Sequence, residues 1–178
     1  ISAGTTPCVR LDGALIPVGD QNLSSEDCRR LVFSAVAKNL RPKLVSECTL
    51  DSVTSVDGLR VRVLSWFNNG NFGACLQPIG PLISWEELGL PAQFRRLVTN
   101  RKQGLFVLSG AMVNQLGMVL ASLVDTISQT NPYHIVSVDE LSEHEFGGSR
   151  VGLVTQLQVG DSEQSYSHAL RQASKLRP

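Results

Sequence analysis

The chain has no excess of either charge: Lys and Arg together number 16, Asp and Glu 16. Nothing in that balance would draw it to nucleic acid or an anionic membrane at long range, so no nucleic-acid partner is expected. It has no apolar run of the ~18 residues that a membrane span requires, so no transmembrane segment is read, and no secretory leader is visible. It has no C-x-x-C either, since Cys8, Cys28, Cys48 and Cys75 stand at least 20 residues apart. That spacing speaks against zinc and redox motifs. No metal is expected, and the thiols are read as buried, reduced and structural. A cytoplasmic protein fits these absences best. What the chain does have is 42% apolar against 18% charged residues over 178 positions. That is enough for a globular core, in one large domain or two small ones.

Residues 104–140 organise the rest. A continuous apolar run at 105–108 has the length and composition of a strand buried on both faces. A small-residue turn follows at Ser109-Gly110-Ala111. Residues 118–127 then show helical periodicity, with Leu120, Leu123, Val124 and Ile127 on one face. A second apolar run, 135–138, ends in two acids, Asp139 and Glu140. Strand, turn, helix and strand in this order predict one βαβ unit of a parallel sheet. Ligands of such units bind where strands end and helices begin. In a nucleotide-binding unit the turn would read G-x-x-x-x-G-K-[ST]. Here it runs from Gly110 through Asn114 and Gln115 to Leu116, Gly117 and Met118. Leu116 holds the Lys position, Gly117 the hydroxyl position, and Gln115 replaces the second glycine. The scaffold of a P-loop is present without its phosphate chemistry.

Towards the N-terminus, Asp12-Gly13 and Asp57-Gly58 each separate two apolar, strand-like runs, the signature of two-residue hairpins. Asn68-Asn69-Gly70-Asn71 makes a further turn into a third strand at 72–79. Ser24, with Asp27 three residues on, opens a helix whose face is Cys28, Leu31, Val32, Ala35 and Val36, and which Asn39 and Pro42 are expected to close. One helix and a three-stranded meander make a small α+β domain at 1–80. Residues 81–91, with Pro78-Ile79-Gly80-Pro81 at their head, read as a linker, and a Ser84/Glu87 capping box opens a short turn within it. A helix at 92–99 precedes the βαβ unit. A strand near 153–159 and a helix at 165–176 complete a second domain, 92–178.

The order and content of these segments resemble the PilT/GspE-like ATPases of type IV pili (twitching motility) and type II secretion. The resemblance rests on 104–127 and on His134 to Glu140. It is extended by Ala3-Gly4 through Arg10 and Asp12-Gly13, by Asp51 with Gly58, Arg60 and Arg62, and by Glu87-Leu88-Gly89-Leu90-Pro91. Gln156 to Gly160 and Ala169-Leu170-Arg171 continue it to the end. It implies a PAS-like N-terminal domain followed by a partial RecA-like α/β core that stops before the Walker B strand. The opening inside a family motif and the stop at Pro178 together suggest a fragment or a truncated relative. An edge left open by missing strands would need covering.

The resemblance also assigns candidate residues. Asp139 and Glu140 match, in reversed order, an acid pair that polarises water and metal, and Glu143 matches the acid after it. Gly110, Asn114, Gln115, Leu116, Gly117 and Met118 form the degenerate nucleotide loop. Arg60 and Arg62 alternate on a strand, share a face, and match arginines that approach nucleotide at a domain or subunit boundary. The bland alternative is a surface salt bridge. His134 matches a family histidine but suits a packed or capping role. His144, between Glu143 and Glu145, lacks zinc-motif spacing. Arg171 is placed where it could face a neighbouring subunit. No cofactor is expected; ATP with Mg²⁺, held weakly at the helix N-terminus, is the alternative. The implied role is a non-catalytic component of a pilus or secretion motor, assembling with itself or with PilT-like ATPase subunits. The competing readings are an active ATPase powering retraction or secretion, and a PAS-like protein-binding adaptor.

Overall fold

Three left-handed turn pairs set the first unit of the chain. Asp12 and Gly13 (φ 47° and 85°), Asp57 and Gly58 (49° and 81°), and Asn69 and Gly70 (49° and 79°) all take positive φ. This is the type I′ geometry that lets twisted strands reverse in two residues. The computed structural model describes residues 1–100, 104–110, 113–160 and 163–178. It divides into two compact units, Ile1–Gly80 and Pro81–Pro178.

In the first unit, β1 (Cys8–Leu11) and β2 (Ala14–Pro17) form an exposed hairpin. Next come α1 (Ser25–Ala35) and α2 (Arg41–Glu47), then the antiparallel meander of β3 (Thr49–Val56), β4 (Leu59–Asn68) and β5 (Asn71–Pro78). A reciprocal Ser24–Asp27 capping box starts α1, supplying acceptors to otherwise orphaned N–H groups. These bonds, the Ser24 hydroxyl's first, hold the Asp27 carboxyl below its ordinary value. Cys28, Val32 and Ala35 recur at helical spacing and are buried, so this face lies on the meander. There Val32, Val36, Leu44, Leu50, Val61, Val63, Phe72 and Ala74 form one apolar cluster.

Two expectations are corrected in this unit. Pro42 does not close the first helix; it sits in the first turn of a second one, α2. There its missing N–H costs nothing and its fixed φ suits the helix. Arg41 beside it reaches back to the Val36 and Phe33 carbonyls and lies over the Phe33 ring, ending α1 with a cationic cap. The thiols are not uniformly buried: Cys28 is sealed, but Cys8, Cys48 and Cys75 are exposed. Cys48 is the left-handed cap of α2, and Cys75 pairs with Leu64 on the face of β5 turned from the helices. Position in a turn or on an outer face overrides the thiol's preference for the interior.

The second unit begins with the Ser84–Glu87 box, where both reciprocal hydrogen bonds form and hold the Glu87 carboxyl below its usual value. Trp85, only 4% exposed, stacks on Phe94 of α3 (Ala92–Asn100). Next come α4 (Val113–Thr130), β6 (His134–Asp139), β7 (Leu153–Gln158) and α5 (Glu163–Lys175). Strands β6 and β7 are parallel, from His134 opposite Leu153 to Asp139 opposite Gln158, and both α4 and α5 pack on β6.

The parallel pair is thus not the one expected. Residues 105–108 form no strand; Leu105 is 88% and Val107 77% exposed. An apolar run becomes a buried strand only when a neighbouring edge and two covering faces are supplied. Here β6 pairs with β7 instead. Helix α4 begins earlier than expected and buries Ala121, Ser122, Leu123 and Ser128, while Leu120 is exposed. A bare crossover, residues 140–152, joins β6 to β7. It ends at Gly152, where a Cβ would stand 2.7 Å from the carbonyl oxygens of Asn131 and Tyr133. Only glycine lets β7 start that close to the end of α4.

Candidate functional site

The loop before α4 is where the sequence places its chemistry. Ala111 and Met112 lie outside the described residues, as do the side chains of Val113, Asn114 and Gln115. Of the rest, Gly110 is exposed, and Leu116, Gly117 and Met118 follow in the first turns of α4. Leu116 is half-buried and turns back over the loop: a Cβ on Gly110 would stand 3.4 Å from its Cδ2. An isobutyl group therefore lies against the first glycine of the loop, where a phosphate cradle needs exposed N–H groups. Between Gly110 and Met118 the sequence has no Lys, Ser or Thr. A missing Lys removes a charge-assisted contact of roughly 1.5–3 kcal/mol. The residues present do not fit the triphosphate of a Mg²⁺-bound nucleotide.

Arg60 and Arg62 lie in another unit of the fold, on β4, opposite Ser55 and Val53. Arg62 grips both carboxylate oxygens of Asp51, its diagonal neighbour on β3, with the shortest contact at 2.6 Å. Both side chains are 36% exposed, a solvated pair worth about 0.2–1 kcal/mol. Its fork is thereby used within its own sheet.

Asp139 and Glu140 stand at the carboxyl end of β6, where ligands of parallel sheets bind. The Asp139 carbonyl accepts from Val159 N–H at 2.9 Å. The phenol of Tyr166, in α5, lies near Asp139 and Glu140. Burial pushes that phenol above its ordinary value and the Glu140 and Asp139 charges add to the effect. Beside this, a cavity of about 610 Å³ opens between the end of β7 and α5, lined by Leu157, Gly160, Ser165, His168 and Gln172. His134, at the start of β6, bonds Thr155 Oγ1 of β7 at 2.9 Å, a cross-strand packing role. The His144 carbonyl accepts from Gln156 Nε2. Arg171 is exposed on α5. No group of His, Cys, Asp and Glu able to hold a metal occurs among the described residues.

Sequence reasoning missed the most buried charge pair recorded in the second unit. Arg150, 11% exposed, bonds Asp125 at 2.5 Å, Ser128 Oγ at 2.6 Å and the Gly147 carbonyl at 3.1 Å, with its guanidinium over the Phe146 ring. It pins the crossover to the last turns of α4. A lone arginine in a Gly-rich loop carried no signal, because its partners lie 22 and 25 residues away.

No protein-family profile matches the chain. Individual relatives do. The type IV pilus retraction ATPase PilT of Pseudomonas aeruginosa is 28% identical over 182 aligned positions, covering 100% of this chain and 52% of its own. The type IV pilus ATPase PilU of the same organism is also 28% identical, with 47% of its length covered. A twitching motility protein of Neisseria gonorrhoeae is 23% identical over 97% of this chain and 46% of its own. This chain therefore spans about half the length of the curated relatives it matches. Among solved structures, the pilus retraction motor PilT with bound ADP superposes with a TM-score of 0.84 at 30% identity, over 97% of this chain and 51% of that one. The Legionella pneumophila ATPase DotB, 18% identical with a TM-score of 0.71, covers 97% of this chain and 51% of its own, and shares the fold. By sequence along its whole length and by its fold, the chain is similar to about half of the PilT and PilU type IV pilus ATPases.

Proposed function

We propose that this protein is a non-catalytic component of a type IV pilus or secretion motor, working in the cytoplasm with a structural or regulatory role among PilT-like subunits. The observation that carries this reading is Leu116, which takes the Lys position of the loop and lies back on Gly110. Phosphoryl transfer depends on positioned cations and a metal-binding hydroxyl, and the loop sequence supplies neither. Among the described residues no helix is long and apolar enough to cross a membrane. The β1–β2 hairpin and the meander form the PAS-like part of this reading.

Calorimetry with Mg²⁺-ATP on the full-length protein tests it. No saturable heat at millimolar nucleotide is expected. Saturable binding, with hydrolysis that follows the protein through purification and disappears on Asp139→Ala, would place the enzyme reading first.

A further inference from the structure

Parallel strands need a long crossover, usually a helix, to bring the chain back to the start of the sheet. Between β6 and β7 that crossover, residues 140–152, has neither helix nor strand. It leaves the carboxyl end of β6 with Glu140, carries Glu143, His144 and Glu145, and returns to Leu153, opposite His134 at the other end of the ladder. The ladder is six residues long, about 17 Å at the usual rise. A bare segment over that span keeps one course only where side chains hold it.

Two places hold it. Gln156 Nε2 of β7 donates to the His144 carbonyl at 2.9 Å, which fixes the middle. The returning end is held from α4. There the Ser128 carbonyl accepts from Val151 N–H at 3.1 Å and from Gly152 N–H at 2.8 Å, and the Arg150 guanidinium joins Asp125 Oδ1, Ser128 Oγ and the Gly147 carbonyl. The α4 acceptors are themselves fixed: the Ser128 hydroxyl donates to the Asp125 carbonyl at 2.8 Å, and Gln129 Nε2 to Asp125 Oδ2 at 2.8 Å. Ser128 is fully buried and Arg150 nearly so, so water competes little for these bonds. Between the two tethers Gly147, Gly148 and Ser149 are exposed, with Gly148 at φ 89°.

We propose that Arg150 is a coupling pin: through it α4 and the acid-bearing crossover open and close as one body, so that the far end of α4 sets the position of the segment carrying Glu143. The acceptors lie on two elements and are spanned by one planar fork, a geometry that a lysine ammonium does not reproduce. The pin does not rest on the nucleotide reading above, and no nucleotide enters its test.

Native-state amide hydrogen exchange on the full-length protein tests it. The reporters are the N–H groups of Asn131, Glu143, Val151 and Gly152, which bond the carbonyls of Ile127, Leu141, Ser128 and Ser128. In the parent these four should open together as urea rises, separately from the amides of β3 to β5. Arg150→Gln should speed all four by a common factor of about tenfold. Asp125→Asn, made on the helix, should speed the same four, and the double variant little more than either. An unchanged Glu143 beside a faster Gly152 would confine Arg150 to local packing and overturn the pin. So would separate opening transitions among the four in the parent, or additive losses in the cycle.

Discussion

The two units are held together by different means. In Ile1–Gly80 the interior is apolar and continuous, and its buried hydroxyls are satisfied: Ser65 Oγ donates to the Leu50 carbonyl at 3.2 Å, and Ser52 to that of Val63. In Pro81–Pro178 the buried apolar residues among those described are Trp85, Ala121, Leu123 and Ala169, and the polar clasp of Arg150 joins the crossover to α4. Three buried polar atoms there, Trp85 Nε1, Ser122 Oγ and Ser137 Oγ, have no hydrogen-bond partner among the described residues. A buried unpaired group costs about 1–3 kcal/mol. The unit that carries the candidate site therefore bears the unsatisfied groups, and the unit that carries the larger core has its buried serines paired.

The comparison breaks most readily at Leu44. In the first unit Leu44→Ala empties a fully buried site and should cost roughly 2–5 kcal/mol, localised to β3, β4 and β5. In the second unit the matching test is Arg150. Arg150→Ala leaves Asp125 with the Gln129 amide but without its guanidinium partner and should cost roughly 1–3 kcal/mol, read as accelerated exchange in the last turns of α4 and in β7. A loss within ±0.5 kcal/mol, the usual range of a surface substitution, would show that the clasp is ornamental. A matched pair of serines sharpens the contrast. Ser65→Ala should destabilise by about 1 kcal/mol, while Ser122→Ala, which removes an unpaired hydroxyl and favours the helix, should stabilise by a similar amount. Equal signs in the two urea titrations would erase the difference drawn here. The smallest effect is alkaline. The Tyr166 phenol is raised above its reference value of 10.0, so its contribution is fully present below that pH and is lost as pH rises through the folded value. Tyr166→Phe should remove this part of the alkaline limb, as followed by circular dichroism.

Local chemistry was readable and remote pairing was not. The dipeptides Asp12-Gly13, Asp57-Gly58 and Asn69-Gly70 announce their turns because Asp, Asn and Gly take the required φ values most readily. The Ser24 and Ser84 boxes are likewise closed within three residues. Residues 105–108 misled because a strand is a property of two segments, and composition describes one. Pro42 suggests a stop from sequence, but the same fixed φ serves a start. At the candidate site, the loss of the loop's Lys was plain in the sequence. That Leu116 folds over Gly110, that Arg62 is engaged by Asp51, and that Tyr166 lies near Glu140 depend on backbone geometry and long-range approach, which periodicity does not contain.

The distribution of thiols has a practical consequence for anyone attaching a probe. All four cysteines fall within the first unit, and none falls between Pro81 and Pro178. Burial raises the Cys28 thiol above its usual value, which keeps it protonated and unreactive. Within residues 1–178 a thiol-directed dye would thus label Cys8, Cys48 and Cys75 and report on residues 1–80. Cys48 would be the most informative of the three, since its left-handed backbone marks where α2 gives way to the sheet.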